Sequence, residues 1–176
     1  MAILWKIDPA HSEVEFKVRH LMITTVTGTF EQFDAEAETE TEDFSTLKKV
    51  EFTADTGTVF TKNKDRDDHL RSADFFHAEE HPTLHFVSND FQLSGNEGKL
   101  SGEMTIRGIT KPIVLDVEIA GIVVDPYGQT KAGISLSGKL SRKEFGLTWD
   151  AVTEAGSVVV SDEVRLIAEV QMIKQS

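Results

Sequence analysis

Along most of this chain, apolar and polar residues alternate with a period of two. From Glu13 to His20 one parity carries mainly apolar side chains and the other carries charges, and the same parity returns at 100–106, 132–140 and 164–172. Because successive side chains of a strand point to opposite faces, each run predicts a strand with one buried and one exposed face. This pattern is typical of antiparallel sheets, whereas buried parallel strands read as continuous apolar runs.

The alternating runs predict about eight strands in a nearly unbroken meander. Turn-forming residues separate most of the runs. Gly28 and Gly57 lie inside runs and indicate bulges or bends. The acidic stretch 36–42, interleaved with Thr and Ala, is predicted to be a solvated loop or an edge strand. The predicted strands cover 3–7, 12–20, 24–33, 47–60, 84–93, 98–107, 112–124 and 131–141, with 158–173 as a ninth run.

One segment of the chain departs from the alternation. Residues 65–72 carry acids early and arginine late, which favours a short helix because the charges complement the helix dipole. Asn63 or Asp65 is the expected N-cap. The chain returns to strand only after Pro82, so we expect one helical insertion of about twenty residues between two strands.

A meander with one apolar face must bury that face. Eight antiparallel strands can close on themselves, and such a barrel holds either packed side chains or one small ligand. Small residues at inward parity and unusually long runs favour a hollow, elongated lumen. The alternative is that the glycines mark curvature and the core is solid. The small inward residues are Ala54, Gly102, Ala132, Gly138 and Ala168.

Composition narrows the possible functions. The 176 residues are expected to form a single domain, 1–176. The net charge of -12 argues against nucleic-acid binding, and the lack of cysteine excludes disulfides and thiolate chemistry. Neither a signal peptide nor a run of about 18 apolar residues is visible, so we expect no stable membrane insertion. The expected location is cytoplasmic for the chain as given, or periplasmic if a signal was removed.

Several separated motifs, in the right order, resemble the YceI-like family of bacterial lipid-binding proteins. The resemblance implies an all-β fold, an elongated eight-stranded antiparallel barrel that is lipocalin-like and encloses an apolar pocket. It also implies binding of polyisoprenoids or other long-chain amphiphiles, links to stress responses and transport, and a possible homodimer. The motifs are WKIDPAHS at 5–12, GTF at 28–30, TKN at 61–63, RDDHL at 66–70, DFF at 74–76, GITKP at 108–112 and RKEFGL at 142–147.

From these observations we expect a non-enzymatic carrier or scavenger of a long apolar molecule. The candidate ligands are an isoprenoid quinone, a polyprenyl lipid, or a fatty acid or its amide, and no cofactor is expected. The insertion is expected to cap the barrel mouth. The expected pocket lining is Val14, Phe16, Val18, His20, Val26, Phe30, Phe52, Leu70, Phe75, Phe76, Phe86, Met104, Ile106, Ile113, Leu115, Leu136, Leu140 and Phe145.

Charged residues of the insertion leave alternatives open. Arg66 and His69 are head-group candidates, although Arg66 is favoured as a structural ion-pair residue. One alternative is a hydrolase or isomerase that uses Arg66, Asp67 and His69 at the mouth, and another is a ligand-free structural or stress protein. A further alternative is a metal-binding module, which zinc titration with and without His77 and His81 would test. His77, His81 and His85 are spaced by four, but Pro82 prevents one helix from presenting all three, so no metal site is predicted.

Overall fold

The alternating runs form one antiparallel sheet of eleven strands. The structure of the protein, a computed structural model, describes residues 2–21, 23–149 and 160–176. The strands are β1 Ile3–Ile7, β2 Glu13–His20, β3 Thr24–Phe30, β4 Phe33–Thr39, β5 Leu47–Asp55, β6 Val59–Phe60, β7 Thr83–Ser94, β8 Glu97–Ile106, β9 Ile109–Val124, β10 Thr130–Ser141 and β11 Val160–Lys174, and the helix is α1 Lys64–Arg71.

The sheet closes into an eight-stranded barrel, which confirms the predicted fold class. Its hydrogen-bonded order runs β1-β4-β5-β7-β8-β9-β10-β11, and β11 pairs back with β1 through Met172, Ile173 and Lys174. Closure satisfies the edge N–H and C=O groups that an open sheet of this length leaves unpaired. The apolar parity of each strand thereby faces a common interior.

The three remaining strands are β2, β3 and β6. Each extends one of the eight strand positions of the barrel beyond a bend in the chain. Strand β11 pairs with β1 near its carboxyl end and with β2 along 160–169, so β1 and β2 follow one another along the same neighbour. The 3-10 turn Pro9–His11 separates β1 from β2. In the same way β3 leads into β4 at 31–32, and β5 leads into β6 through the 3-10 turn Thr56–Thr58. Eleven strands thus fill eight positions, and the bend expected at Gly57 is confirmed.

Two of the predicted boundaries are wrong around β4. The expected strand 24–33 ends at Phe30, and the acidic stretch that was expected to be a loop or an edge is largely the interior strand β4, paired with β1 and β5. Ala35, Ala37 and Thr39 are buried on its inner face. Alanine and threonine carry little hydrophobic signal, so the alternation was hidden by the acids between them. The predicted strand 47–60 is also wrong as a single strand, because the turn Thr56–Thr58 divides it into β5 and β6. The other described strands match within three residues, and 158–159 of the last run lie outside the described residues.

The helical insertion lies where it was predicted, between β6 and β7. Asn63 is the N-cap, and its side chain accepts a hydrogen bond from the Arg66 N–H at 3.0 Å. Asp67 is buried and accepts from the Thr61 N–H and hydroxyl at 2.8 and 2.5 Å, which ties the helix to the end of β6. None of the helices in the described part of the chain has the length and apolar character needed to cross a membrane.

Three glycines let large side chains lie flat against the barrel wall. A Cβ on Gly28 would lie 2.1 Å from Phe16 Cζ, and one on Gly102 would lie 2.6 Å from Phe86 Cζ. Gly138 leaves the same room for Leu115. Gly28 pairs with Phe16 in unshifted register, so it is not the bulge that the sequence suggested. Side chains that lie along the wall take up less of the lumen.

Replacing Gly28 tests this wall packing. We expect Gly28→Ala to lower the free energy of unfolding by about 1–3 kcal/mol, because the added Cβ overlaps the Phe16 ring. The matched control is Gly57→Ala, where no atom lies within 4 Å of the added Cβ; its effect should stay within about 0.5 kcal/mol. Urea unfolding of both variants measures the difference. Equal stabilities for the two variants would contradict the packing.

Candidate functional site

An apolar inner cavity of about 160 Å³ occupies the middle and the β1 end of the barrel. Its wall is almost entirely carbon, drawn from the inner faces of the strands. An engineered apolar cavity of about 150 Å³ stays dry and holds benzene, so this space suits apolar groups rather than water. Prominent lining residues are Ile7, Val14, Ala37, Phe44, Phe52, Phe86, Phe91, Leu100, Met104, Leu115, Leu136, Ala168, Val170 and Met172.

A second cavity of about 250 Å³, the mouth cavity, lies under the helical insertion. Helix α1 and the segment after it form its roof, and the ends of β2, β3, β10 and β11 form its wall. Its lining includes Val18, Arg19, His20, Val26, Arg66, His69, Leu70, Phe75, Phe76, Leu140, Arg142, Leu147, Trp149, Val160 and Val164.

The two cavities adjoin at a waist. We use this name for Phe16, Phe30, Leu84, Ile106 and Leu166, which line both cavities. The Phe16 and Phe30 ring centroids are 5.6 Å apart, and the Phe76 ring of the roof lies 5.6 Å from Phe30. A chain that fills both cavities must pass this group of side chains.

The structure places sixteen of the eighteen predicted lining residues against one cavity or the other. The exceptions are Ile113 and Phe145, which are buried in the core but line neither cavity. Leu70, Phe75 and Phe76 lie in the roof, which agrees with the expected capping role of the insertion. Whether these residues touch a ligand stays a prediction.

Several residues that line the cavities are absent from the predicted lining, including Leu84 and Leu166 at the waist. Ala35, Ala37 and Phe44 were missed because the strand β4 was not predicted. Leu147 and Trp149 lie in an irregular segment without periodicity, where parity offers no guidance. The motif at 142–147, which contains Leu147 and ends two residues before Trp149, was the sequence feature that could have indicated both residues.

Every ionisable side chain among the described residues that line the mouth cavity is basic. They are Arg19, His20, Arg66, His69 and Arg142. In a chain with a net charge of -12, this local excess of positive groups is distinctive. A cleft lined by one sign of charge attracts ligands of the opposite sign. The mouth therefore favours an anionic or electron-rich polar group.

Two of these basic side chains also hold the wall together. Arg66 Nε donates to the Thr61 hydroxyl at 2.8 Å, and its Nη2 donates to the Thr61 carbonyl at 2.5 Å. Arg142 is buried and donates to the carbonyls of Leu147, Trp149, Ser161 and Val160 at 2.6–3.2 Å. The structural role favoured for Arg66 is thus present, although its partner is Thr61 rather than a neighbouring aspartate.

His69, the other head-group candidate, also lines the mouth cavity. Its Nε2 lies 2.9 Å from Asp74 Oδ2, and its ring contacts Trp149 edge-on with centroids 4.8 Å apart. Asp67, which completed the enzymatic alternative, faces Thr61 instead. On the outer side of α1, hydrogen bonds from Lys64 and Arg71 lower the pKa of Asp68. The structure therefore brings Arg66, Asp67 and His69 onto one helix without placing Asp67 beside His69.

Comparisons with known proteins agree with this architecture. A YceI-like domain matches residues 5–172. A UPF0312 protein of Staphylococcus aureus (strain USA300) is 38% identical over 165 residues, which cover 93% of this chain and 94% of that protein. A UPF0312 protein of Staphylococcus epidermidis (strain ATCC 12228) is 34% identical over 168 residues, 95% of each chain.

Solved structures share the fold. The Campylobacter jejuni YCEI protein superposes with a TM-score of 0.78 at 32% identity, covering 90% of both chains. A polyisoprenoid binding domain from Saccharophagus degradans, implicated in plant cell wall breakdown, superposes with a TM-score of 0.69 over 97% of this chain and 98% of its own. Its identity of 12% makes this a likeness of fold alone.

Proposed function

This chain belongs to the family of YceI-like domains, and from that premise we propose that it binds one long-chain apolar molecule in the barrel lumen. The observation that carries the proposal is the pair of adjoining apolar cavities along the barrel axis. A solid-core protein would fill this space with side chains. Here Phe16 packs flat on Gly28 and Phe86 packs flat on Gly102, which leaves space in the lumen.

The size of the cavities favours an extended ligand that occupies both. The inner cavity of about 160 Å³ alone accommodates a group the size of one ring. A ligand with about 18 non-hydrogen atoms, the size of hexadecanoic acid, gains about 5.4 kcal/mol at about 0.3 kcal/mol per atom, which corresponds to a Kd of about 0.1 mM. Small rotations of the waist side chains are sufficient to admit a flexible chain, since Phe16, Phe30 and Ile106 have no polar partners to break.

The orientation of the ligand follows from the charges. The apolar tail fills the inner cavity, and a polar head rests in the mouth cavity beside His20 and His69. The head is a carboxylate, a phosphate or a quinone oxygen, because basic side chains donate hydrogen bonds to all three. Polyprenyl phosphates, isoprenoid quinones and fatty acids meet this description. The polyisoprenoid binding of the Saccharophagus domain adds support for the prenyl class only at the level of fold.

The mechanism of this function is sequestration without turnover. The tail fills the dry inner cavity, water leaves the mouth cavity, and the roof residues Phe75 and Phe76 cover the chain. Each buried methylene contributes about 0.8 kcal/mol. The described lining residues of the mouth cavity include no carboxyl group, and Asp74, the carboxylate that pairs with His69, lies outside that lining.

Tryptophan quenching tests both binding and orientation. The chain has two tryptophans, and Trp149 lines the mouth cavity. Trp5 is fully buried in the core cluster that contains Phe44 and Met172, and it is not among the residues that line either cavity. Bromine quenches tryptophan emission at close range. We expect 2-bromohexadecanoic acid, which carries bromine beside its carboxylate, to give saturable quenching that Trp149→Phe removes. We expect 16-bromohexadecanoic acid, brominated at the tail, to quench Trp149 much less.

Displacement by unbrominated ligands extends this assay to the other classes. Geranylgeraniol and a menaquinone with a short prenyl tail should compete with the brominated acid. In a Trp5→Phe variant, whose tryptophan emission comes from Trp149 alone, equal quenching by the two brominated acids would contradict the orientation. Failure of all of the acyl and prenyl probes to bind would contradict the proposed function itself.

A further inference from the structure

We propose that His77, Glu80 and His81 form a binding site for a divalent transition-metal ion, with zinc as the type case, on the outside of the barrel mouth. The imidazole and carboxylate ligand atoms of the three residues all lie within 4.8 Å of one another. His77 Nδ1 lies 3.9 Å from Glu80 Oε2, and the two imidazole rings have centroids 5.9 Å apart. None of the three lines the mouth cavity.

One turn of backbone brings these side chains together. The His81 N–H donates to the His77 carbonyl at 2.8 Å, so the segment makes a single helical turn before Pro82. Residues four and three apart in such a turn lie on the same side, which places Glu80 and His81 beside His77. Pro82 prevents one helix from presenting His77, His81 and His85 together. Two histidines and a glutamate need only five residues, and His85 lies apart on β7.

The backbone of the turn is anchored on both sides. The His77 N–H donates to the Ser72 carbonyl at 2.9 Å, and the Thr56 hydroxyl donates to the His81 carbonyl at 2.8 Å. Gly108 leaves room for the His81 ring, since a Cβ there would lie 3.1 Å from His81 Cε1. The ligands therefore stand on a fixed frame, and binding costs little chain ordering.

The donor set fits a borderline transition metal. Zinc binds imidazole nitrogen and carboxylate oxygen at about 2.0–2.2 Å, which places tetrahedral ligand atoms about 3.3 Å apart. Rotation of the exposed Glu80 side chain and of the two imidazoles closes the remaining separation without backbone movement. Water supplies the fourth ligand. Magnesium prefers an octahedral shell of oxygen ligands and should not bind.

Metal binding at this turn also constrains the neighbouring segment that forms the roof of the mouth cavity. His77 follows Phe75 and Phe76 directly, and both phenylalanines form the roof of the mouth cavity. An ion that links His77 to His81 fixes the carboxyl end of the roof segment. The site is separate from the ligand cavities, so its presence does not depend on the proposed lipid function.

Zinc titration by isothermal calorimetry tests the site on tag-free, chelator-stripped protein. We expect one zinc ion per chain with micromolar or tighter affinity, and at least tenfold weaker binding in each of two variants. His77→Asn suits the left-handed backbone at this position, where φ is +51°, and His81→Phe keeps an aromatic ring. The matched control, His85→Gln, removes a neighbouring histidine outside the cluster and should bind as the wild type does. Circular dichroism verifies that each variant is folded.

Three outcomes overturn the proposal. The first is no zinc binding by the wild-type protein at millimolar zinc. The second is unchanged affinity in both His77→Asn and His81→Phe. The third is an equal loss of affinity in His85→Gln, because that result would assign the ion to a different or diffuse set of ligands.

Discussion

Ala168→Phe is expected to weaken binding of long-chain ligands by roughly 100-fold. Ala168 lines the inner cavity, between Leu136 and Val14 on the neighbouring strands. A phenyl ring in its place takes up much of a cavity of about 160 Å³. If the ring displaces about four methylene groups of the tail, the loss is about 3 kcal/mol.

The matched control places the same ring on the outer face of the same strand. Glu169 is adjacent in sequence and exposed, so Glu169→Phe should leave the affinity unchanged. Quenching by 2-bromohexadecanoic acid measures both variants against the wild type. Thermal unfolding separates blockage from misfolding, because Ala168→Phe should remain folded. Undiminished binding in a folded Ala168→Phe protein would show that the ligand does not use the inner cavity.

Arg142→Met is expected to cause the largest loss of stability, about 3–5 kcal/mol. Arg142 is 3% exposed, and its guanidinium donates to four carbonyls, two in the segment after β10 (Leu147 and Trp149) and two at the start of β11 (Val160 and Ser161). Methionine has a similar reach but no donors, so these carbonyls lose their partner. Each buried group left unsatisfied costs about 1–3 kcal/mol. Because Leu147 and Trp149 belong to this clamp and line the mouth cavity, ligand affinity should fall as well.

Lys139→Met, three residues earlier at the end of β10, is the control for this prediction. The Lys139 side chain is 74% exposed and lies 3.6 Å from Glu163, an exposed pair of the kind that contributes less than about 1 kcal/mol. Arg142→Lys should fall between the two, since one ammonium cannot reach all four carbonyls. Urea unfolding provides the free energies. A loss of less than about 1 kcal/mol in Arg142→Met would show that the clamp is dispensable.

Most of the barrel could be predicted because its strands obey a strict period of two. Parity alone assigns residues such as Phe86, Met104 and Leu136 to the interior, and the structure places all three on the inner cavity. Parity did not reveal the inner face of β4, which Ala35 and Ala37 form. A lumen needs small residues in places, and these residues have the weakest hydrophobic signal.

The parts of the site outside the strands could not be predicted in this way. Phe145 belongs to the 3-10 helix Arg142–Phe145 and packs into the core instead of lining a cavity. Trp149 lines the mouth from an irregular segment. The Arg142 clamp depends on carbonyl groups, and every residue has one, so no pattern of side chains predicts which of them a buried arginine will meet.

The glycines illustrate how one residue type carries several meanings. Gly57 marks a bend, as expected, whereas Gly28 and Gly102 accommodate aromatic rings across a strand pair. Cross-strand packing depends on register, which a single strand's sequence does not specify. These packing contacts leave space for the two cavities, while Phe16 and Phe30 also belong to the waist between them.

Native mass spectrometry of protein purified without detergent tests the central claim most directly, namely that the barrel admits an oily chain. The account predicts one noncovalent apolar adduct per chain, either as purified or after incubation with hexadecanoic acid or geranylgeraniol, and little adduct on Ala168→Phe. Only the mass of the bare chain in every one of these samples would contradict it.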